Sequence, residues 1–339
     1  MEKITYKLPS GLIAQFPLED RDQCKLLCLE RGSGELTENV FADLPKLLTK
    51  DHLLVINDTR VRKARLFGVG SQSGRRCELF LIDKLTDFEW ICLARPGKKA
   101  KKGARFYFSA REYCEVQEIL TDGSRRIKFY GSTGERIMDK YGRVPLPPYI
   151  KRDDVALDRK MYQTVYAKEG FSIAAPTAGM HFTDEVLAKL EKKGVGLCQI
   201  RLDVGRGTFK PIEAKHYERH RMDPEEFWIS EDAVKQINAA KKKKMKVVAV
   251  GTTVVRALEG CNAKHGKLVA GHDDTSLFIF PDFEFKVVDE LITNFHLPGS
   301  TLLALTAAFS GVDNILKAYE FAIEKKYRFF SYGDAMYIK

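Results

Sequence analysis

The sequence predicts a layered α/β/α domain interrupted by a small antiparallel β-domain. Two patterns carry that expectation. Apolar strand-like runs alternate with capped amphipathic helices in residues 1–60 and again beyond 150. Between about Val61 and Ile150 the segments are short, turn-separated and without a lasting helical period. Composition fits a folded globular chain of 339 residues, 44% hydrophobic and 30% charged. No apolar run reaches the ~20 residues of a membrane span, and Met1 to Tyr6 carry no signal-peptide pattern, so a cytoplasmic protein is expected.

Taken in order, the turn-rich Leu8 to Gly11 leads to a strand at Cys24 to Leu29. A short helix is expected around Leu44 to Leu48, and the apolar Leu53 to Ile56 is a buried strand. That strand runs into Asn57-Asp58-Thr59-Arg60, polar residues where open α/β sheets place their ligands; an Asx turn satisfying its own backbone explains them equally. The middle region offers strands at Arg76–Ile82, Phe88–Ala94, Arg105–Phe108, Cys114–Leu120 and Arg125–Tyr130, with Asp122-Gly123 a hairpin turn. This is a barrel or a sandwich, and Val144 to Ile150, rich in proline, is a stiff linker leading out. Beyond it, Thr183 caps a helix to Lys193, Gly196–Leu202 is a strand, and Ser230 caps a helix ending in Lys241 to Lys244. Val247–Val250 is a buried strand opening into Gly251 to Arg256. Ser300 caps an apolar helix to Ser310, a last helix spans Asn314–Lys326, and Tyr327 to Asp334 is a final strand.

The stretch Phe171 to Thr183 joins small residues, a Pro-Thr-Ala-Gly turn and His181 just before a helix start, a suitable floor for a ligand that approaches the backbone. A tight connection around a structural histidine fits the same spacing. Asp203 to Phe209 is a second glycine-rich strand exit, but Lys210 stands where a dinucleotide fingerprint needs its third glycine. Five polar strand exits in one chain favour a composite small-molecule site.

Net charge is +10, from 56 basic and 46 acidic residues, which suits a polyanionic partner. The loop Arg95 to Gly103, with Lys98, Lys99, Lys101 and Lys102, concentrates cations that phosphate or solvent must relieve. Seven cysteines lack any Cys-x-x-Cys pair, which predicts reduced thiols. Arg31 stands where a third cluster ligand would follow Cys24 and Cys28, and His216 and His220 lack the zinc-protease pattern. Neither an iron–sulfur cluster nor another metal is expected.

Several long motifs together resemble one family. They are Leu12-Ile-Ala-Gln-Phe-Pro17, Asn57-Asp-Thr-Arg-Val61, Pro145-Leu-Pro-Pro-Tyr-Ile150 and Tyr162-Gln-Thr-Val-Tyr166. Ala174-Ala-Pro-Thr-Ala-Gly179, His181-Phe182, Gly205, Gly207-Thr-Phe209 and Gly251-Thr-Thr253 follow, then Thr293-Asn-Phe-His-Leu-Pro298 and Tyr327 to Met336. In this order they resemble the S-adenosylmethionine:tRNA ribosyltransferase-isomerases of queuosine biosynthesis. The resemblance implies a catalytic α/β/α domain of residues 1–61 and 151–339 with an inserted β-barrel of 62–150. It also implies transfer and isomerisation of the ribosyl group of S-adenosylmethionine onto 7-aminomethyl-7-deazaguanine at the wobble position of tRNA. Epoxyqueuosine, adenine and methionine are the products. S-adenosylmethionine is then a substrate, no cofactor is held and the partner is tRNA. Apart from the resemblance, the apolar runs are too short for a membrane, and the lack of an obvious dimer seam leads to the expectation of a monomer.

Such a reaction needs a base at the ribose carbon beside the sulfonium, an acid for the departing adenine and a neutral attacking amine. His181, Asp58, His296 and Asp334 are the candidates for that work. Arg60, Arg256 and Arg328 are expected to orient carboxylate or phosphate. Asn57, Thr177, Gly179, Gly205, Gly207, Thr208, Thr252 and Asn294 are the remaining substrate-binding candidates, and Arg95, Lys98, Lys99, Lys101 and Lys102 the tRNA contacts. Asp203 and Asp223 stand where the family pattern has histidines, an exchange that alters charge and proton traffic and so is expected to tune the site. Two other classes compete: a tRNA-binding module without chemistry, and a tRNA methyltransferase using the same donor.

Overall fold

The computed structural model describes residues 1–71, 74–205, 212 and 216–339. Gly207 and Thr208 lie outside the described residues. The chain divides into two compact units: Met1–Arg60, Pro147–Arg152 and Met161–Lys339 form the first, Val61–Leu146 and Asp153–Lys160 the second.

The first unit opens with strands β1 (Lys25–Leu29) and β2 (Leu36–Val40), the short helix α1 (Leu44–Leu47) and strand β3 (His52–Asn57). The second unit contributes β4 (Arg65–Gly70), β5 (Arg76–Lys84), β6 (Glu89–Arg95), β7 (Arg105–Tyr107), β8 (Tyr113–Ile119), β9 (Arg125–Tyr130) and helix α2 (Gly134–Tyr141). After the short α3 (Asp158–Met161), the chain continues through α4 (Asp184–Lys192), β10 (Gly196–Leu202), β11 (Glu225–Ile229), α5 (Glu231–Lys242), β12 (Lys246–Val250) and α6 (Thr252–His265). It ends with β13 (Gly271–Thr275), β14 (Glu290–Asn294), α7 (Thr301–Ser310), α8 (Val312–Glu324) and β15 (Ala335–Ile338).

Nine strands form one mixed sheet in the order β13-β11-β10-β3-β12-β14-β15-β1-β2. Its central strands are apolar throughout because both faces are covered. Leu53, Val55, Val247, Ala249 and Leu291 face a core built with α5, α6, α7 and α8. Their neighbours Leu54, Ile56, Val248, Val250 and Ile292 face a second core with Leu44, Phe182, Val186 and Leu190. The alternation along single strands thus produces the α/β/α layering. Capping follows the sequence: Thr183, Ser230 and Ser300 accept hydrogen bonds from the amides of Val186, Ala233 and Leu303.

In the second unit, β4-β5-β6-β9-β8-β7 close into an antiparallel barrel, which decides between barrel and sandwich. Its interior takes Leu66, Leu79, Trp90, Phe106 and Phe129, together with Cys77, Cys92 and Cys114. Those three are among seven free, buried cysteines.

One local expectation is corrected. Tyr327 to Asp334 is not a strand but a turn, in which Phe330 takes φ 72° and the Asp334 carboxylate accepts from the Arg328 amide at 2.7 Å. The strand begins only at Ala335. Along the proline-rich run the chain passes from the second unit into the first. Tyr149 packs its ring 4.8 Å from that of Phe330 and hydrogen-bonds Ser331, because an aromatic side chain there is worth more buried than extended.

Candidate active site

Strands β10, β3, β12 and β14 run parallel as neighbours, so their carboxyl ends leave the sheet on one edge. The exits are Asp203 to Gly205, Asn57 to Arg60, Gly251 to Thr253 and Asn294 to His296. Antiparallel β15 brings the approach Phe330 to Asp334 to the same edge, where Ala335 pairs with Asn294. Parallel pairing of β1 with β15 adds Cys24. The segment 174–181 lies across this edge and ends in a 3₁₀ turn, Thr177–His181. Gly179 in that turn is required, since a Cβ would collide with the Tyr166 hydroxyl. Gly251, at φ 92°, makes the left-handed entry into α6 that other residues resist.

Between these exits is a small cleft with a cavity volume of about 90 Å³. Ala174, Ala175, Val204, Leu297, Leu302 and Phe330 form apolar walls; Thr177, Thr252, Thr253, Asn294, His296 and Ser331 supply polar groups. Four sequence candidates, Thr177, Thr252, Asn294 and His296, therefore share one cleft. No side chain caps the start of α6, where the Val254 and Val255 amides turn back to the Gly251 carbonyl at 3.2 and 3.4 Å.

His296 is 8% exposed. Its amide donates to the Tyr319 hydroxyl at 2.8 Å, Nε2 is 3.3 Å from the Thr293 hydroxyl, and Nδ1 has no partner among the described residues. Burial alone pushes its pKa down to about 3, so the ring is neutral at pH 7.

His181 is buried one step behind the cleft and lines a smaller cavity with Arg21, Cys24 and Tyr332. Its Nδ1 lies 3.1 Å from the Cys24 sulfur and its Nε2 3.0 Å from Asn294 Nδ2. The same Nδ2 donates to the Phe330 carbonyl at 3.3 Å, while Asn294 Oδ1 accepts from the Thr177 hydroxyl at 2.7 Å. These partners fix the Asn294 amide, and they fix the tautomer: Nε2 accepts, and Nδ1 carries the proton toward sulfur. The pKa falls to about 4, chiefly through burial, with the Arg21 and Arg328 charges acting in the same direction. Neutrality thus comes chiefly from burial. His181 reaches the cleft through Asn294 and Thr177.

The other candidates have different surroundings. Asn57 is fully buried and bridges strands, donating to the Leu202 carbonyl and accepting from the Leu202 and Thr59 amides. Asp58 lines a separate pocket with Lys168, Arg201 and Trp228. Burial raises its pKa, against the opposing pull of Lys168 and Arg201. Arg60 donates to the carbonyls of Ala167 and Lys168. Arg256, expected to meet a ligand, is instead buried in an ion pair with Glu225, whose other oxygen accepts from the Gly205 amide. A buried guanidinium needs such a partner, so it fastens α6 to β11. Arg328 donates to the Phe16 carbonyl. The Asp334 carboxylate holds the amides of Lys25 and Arg328, so its oxygens are committed to the backbone. Asp203 accepts from the Thr59 hydroxyl and from the Phe171 amide, a double acceptance that neutral histidine could not supply. In the barrel unit, Arg95, Lys98, Lys101 and Lys102 are exposed and Lys99 is half-buried.

Sequence reasoning missed Cys24, Tyr149, Thr253 and Ser331. Tyr149 and Ser331 lie inside motifs already singled out, but their meeting depends on a contact between residues 182 apart. Cys24 carried no signal beyond its place at the start of a strand. Among the described residues, no group of three or more His, Cys, Asp or Glu could hold a metal ion. No helix among them is long and apolar enough to cross a membrane.

The comparisons with known proteins agree over the whole length. A family model described as queuosine biosynthesis protein matches residues 1–338. An S-adenosylmethionine:tRNA ribosyltransferase-isomerase of Halothermothrix orenii is 47% identical, with 100% of this chain and 99% of that protein covered. One of Natranaerobius thermophilus, with the same name, is 46% identical over 100% and 99%. Among solved structures, the S-adenosylmethionine tRNA ribosyltransferase of Thermotoga maritima is 34% identical, covers 99% of each chain and superposes with a TM-score of 0.57. With motifs, fold and full-length similarity in agreement, the chain belongs to the queuosine biosynthesis family of S-adenosylmethionine:tRNA ribosyltransferase-isomerases.

Proposed function

We propose that this enzyme moves the ribosyl group of S-adenosylmethionine to the aminomethyl nitrogen of 7-aminomethyl-7-deazaguanine in tRNA. It isomerises the sugar and releases adenine and methionine. The observation that carries the reading beyond family membership is the shared cleft, where motif residues from three separate chain segments, Thr177, Thr252, and Asn294 with His296, converge. S-adenosylmethionine acts as a substrate, tRNA is the partner, and the protein works as a cytoplasmic monomer. The α/β unit does the chemistry, and the barrel, through the loop at Lys98 to Lys102, contacts tRNA phosphates.

Roles follow from position. His296 lines the cleft and, being neutral, can accept a proton from the carbon beside the sulfonium or hydrogen-bond the adenine that leaves. His181 positions: its Nε2 holds the Asn294 amide, which aligns the Thr177 hydroxyl at the cleft wall. Asp334 positions too, by closing the turn that presents Ser331. The apolar walls keep water from intermediates that would otherwise hydrolyse. Asp58, in its own pocket, is left as a second acid–base group at the edge of the same sheet.

Product analysis tests this reading. The protein is incubated with S-adenosylmethionine and tRNA bearing the deazaguanine amine, and the small molecules are separated. Adenine and methionine in equal amounts, dependent on the tRNA, are expected. S-adenosylhomocysteine would make it a methyltransferase, and no turnover with intact tRNA binding would make it a binding module.

A further inference from the structure

The outer wall of the barrel carries a row of aromatic rings that neither the fold nor the chemistry requires. Phe106, Cys114 and Phe129 point inward and are buried, so their neighbours Tyr107, Tyr113 and Tyr130 point outward from β7, β8 and β9. Those three pair directly across the strands, Tyr107 with Tyr113 and Tyr113 with Tyr130. Their rings stack at 5.0 Å and 4.8 Å, with interplanar angles of 27° and 10°. Val69, paired to Tyr107 on β4, extends the row and is 47% exposed. A stacked cross-strand row stabilises a sheet by itself, but it would not call for the cations that surround this one.

Lys128 sits 5.9 Å from the Tyr130 ring and Arg105 5.5 Å from that of Tyr113. On adjoining β4, the Phe67 ring is flanked by three guanidinium groups, Arg76 at 4.3 Å, Arg143 at 5.1 Å and Arg65 at 5.5 Å. Glu78 and Glu115 neutralise Arg65 and Arg105 at 2.8 Å and 2.7 Å. Arg76 and Lys128 form no ion pair among the described residues, although Lys128 lies across the strands from Glu89 and Glu115. Half-exposed aromatic rings interleaved with surplus cations form the surface that single-stranded nucleic acid takes: bases stack on rings while the backbone follows the charges. The basic loop meets this wall at its far end. Arg125, the first residue of β9, donates to the Gly97 carbonyl at 2.9 Å, and Tyr130 is the last residue of that strand. The strand between them spans about 17 Å, a distance that a few unpaired nucleotides cover.

We infer that the outer face of β4, β7, β8 and β9 binds unpaired nucleotides of the RNA substrate through the tyrosine row, with Arg76 and Lys128 on the adjacent phosphates. This rests on the reading of tRNA as the substrate. It differs from the phosphate loop in discriminating single-stranded from paired RNA.

The test is fluorescence anisotropy of the full-length protein with a labelled anticodon stem-loop and, separately, with a fully paired duplex made from the stem alone. Tyr113→Leu, which keeps apolar bulk but removes the ring, is expected to weaken stem-loop binding about 5- to 100-fold, the range for losing one stacked base. Duplex binding should stay within about twofold. Tyr113→Phe should bind as the wild type does. The double variant Arg76→Gln, Lys128→Gln should lower the salt slope for the stem-loop by about one to one and a half. Should Tyr113→Leu fail to fold, Tyr107→Leu and Tyr130→Leu, at the two ends of the row, carry the same expectation. Wild-type affinity for the stem-loop in a folded leucine variant overturns the proposal, and so does an equal loss on stem-loop and duplex. Adenine release by the wild-type protein is measured alongside. Its absence would refute the proposed reaction and leave the anisotropy result standing on its own.

Discussion

Replacing His181 with glutamine separates burial from catalysis most directly. The ring is 4% exposed and holds two partners, the Cys24 sulfur at 3.1 Å and Asn294 Nδ2 at 3.0 Å. Losing both, at about 1 kcal/mol net each, and disturbing the contact with Phe41 costs roughly 2–4 kcal/mol near pH 7.5. For a unit this size that is a fall of about 5–15 °C in Tm. The cost must also depend on pH. His181 titrates at about 4 in the folded chain against 6.5 for a free histidine. The folded pKa is depressed, so the unfolded chain binds the proton first. Wild-type stability from this group is complete above pH 6.5 and drains away as pH falls toward 4. Between the two values it amounts to about 3 kcal/mol, of which about 2 kcal/mol is gone by pH 5.

His181→Gln lacks that term. Its Tm deficit relative to wild type should therefore shrink by about 2 kcal/mol equivalent between pH 7.5 and pH 5, while other acid-sensitive groups cancel in the difference. Melting both proteins across that range reads this directly. A constant deficit would show that His181 is not buried as a neutral ring, and the positioning argument would fail with it. Adenine release should fall by roughly 10-fold or more in His181→Gln and in Asn294→Ala. The double variant should lose little beyond either single one, because both act on one hydrogen-bonded unit.

Two further outcomes follow from the site and the loop. His296→Gln should leave Tm within a few degrees but reduce adenine release by roughly 10²-fold or more, the scale for a lost acid or base; near-normal turnover would remove His296 from the chemistry. Replacing Lys98, Lys99, Lys101 and Lys102 with glutamine should weaken tRNA binding and lower its salt slope by about three. An unchanged slope would return that loop to a solvated turn.

Fold and site differed in how far the sequence disclosed them. Strand exits were legible because they are local: an apolar run such as Leu53 to Ile56 followed by Asn57 to Arg60 needs no knowledge of partners. Caps at Thr183, Ser230 and Ser300 were legible for the same reason. What escaped was pairing at long range. Arg256 reads as a ligand-binding cation until β11 delivers Glu225 to it, 31 residues away. Asp334 reads as an acid until Lys25, 309 residues away, donates its amide. Tyr149 reads as linker until the turn before β15 brings Phe330 and Ser331 against it. A charged residue announces that it needs a partner, but the sheet order decides whether that partner is substrate or protein.

That allocation leaves the cleft with an unusual electrostatic character, and a last prediction rests on it. Among the described residues, no Asp, Glu, Lys or Arg lines the cleft. Of the arginines expected there, Arg256 is engaged by Glu225 and Arg60 by two carbonyls, while Arg328 donates to the Phe16 carbonyl through Nη2 and has its buried Nη1 without a partner among the described residues. The two titratable side chains in the wall are neutral as well. Burial pushes the Tyr149 hydroxyl up to about 12 and the His296 ring down to about 3. On the proposed reading S-adenosylmethionine, which carries a sulfonium, an ammonium and a carboxylate, is held in this cleft by hydroxyls, amides and the start of α6. Such dipolar contacts act at hydrogen-bond range, well inside the ~10 Å screening length at 0.1 M salt, so salt hardly weakens them. The affinity for S-adenosylmethionine, measured by calorimetry without tRNA, should change by less than about twofold between 50 and 500 mM salt. Over the same range tRNA affinity should fall by roughly 10³-fold or more through counterion release. A steep salt dependence for S-adenosylmethionine would mean that a charged side chain meets it directly. The donor would then have to bind against Asp58, Lys168 and Arg201 in the neighbouring pocket rather than among Thr252, Asn294 and His296.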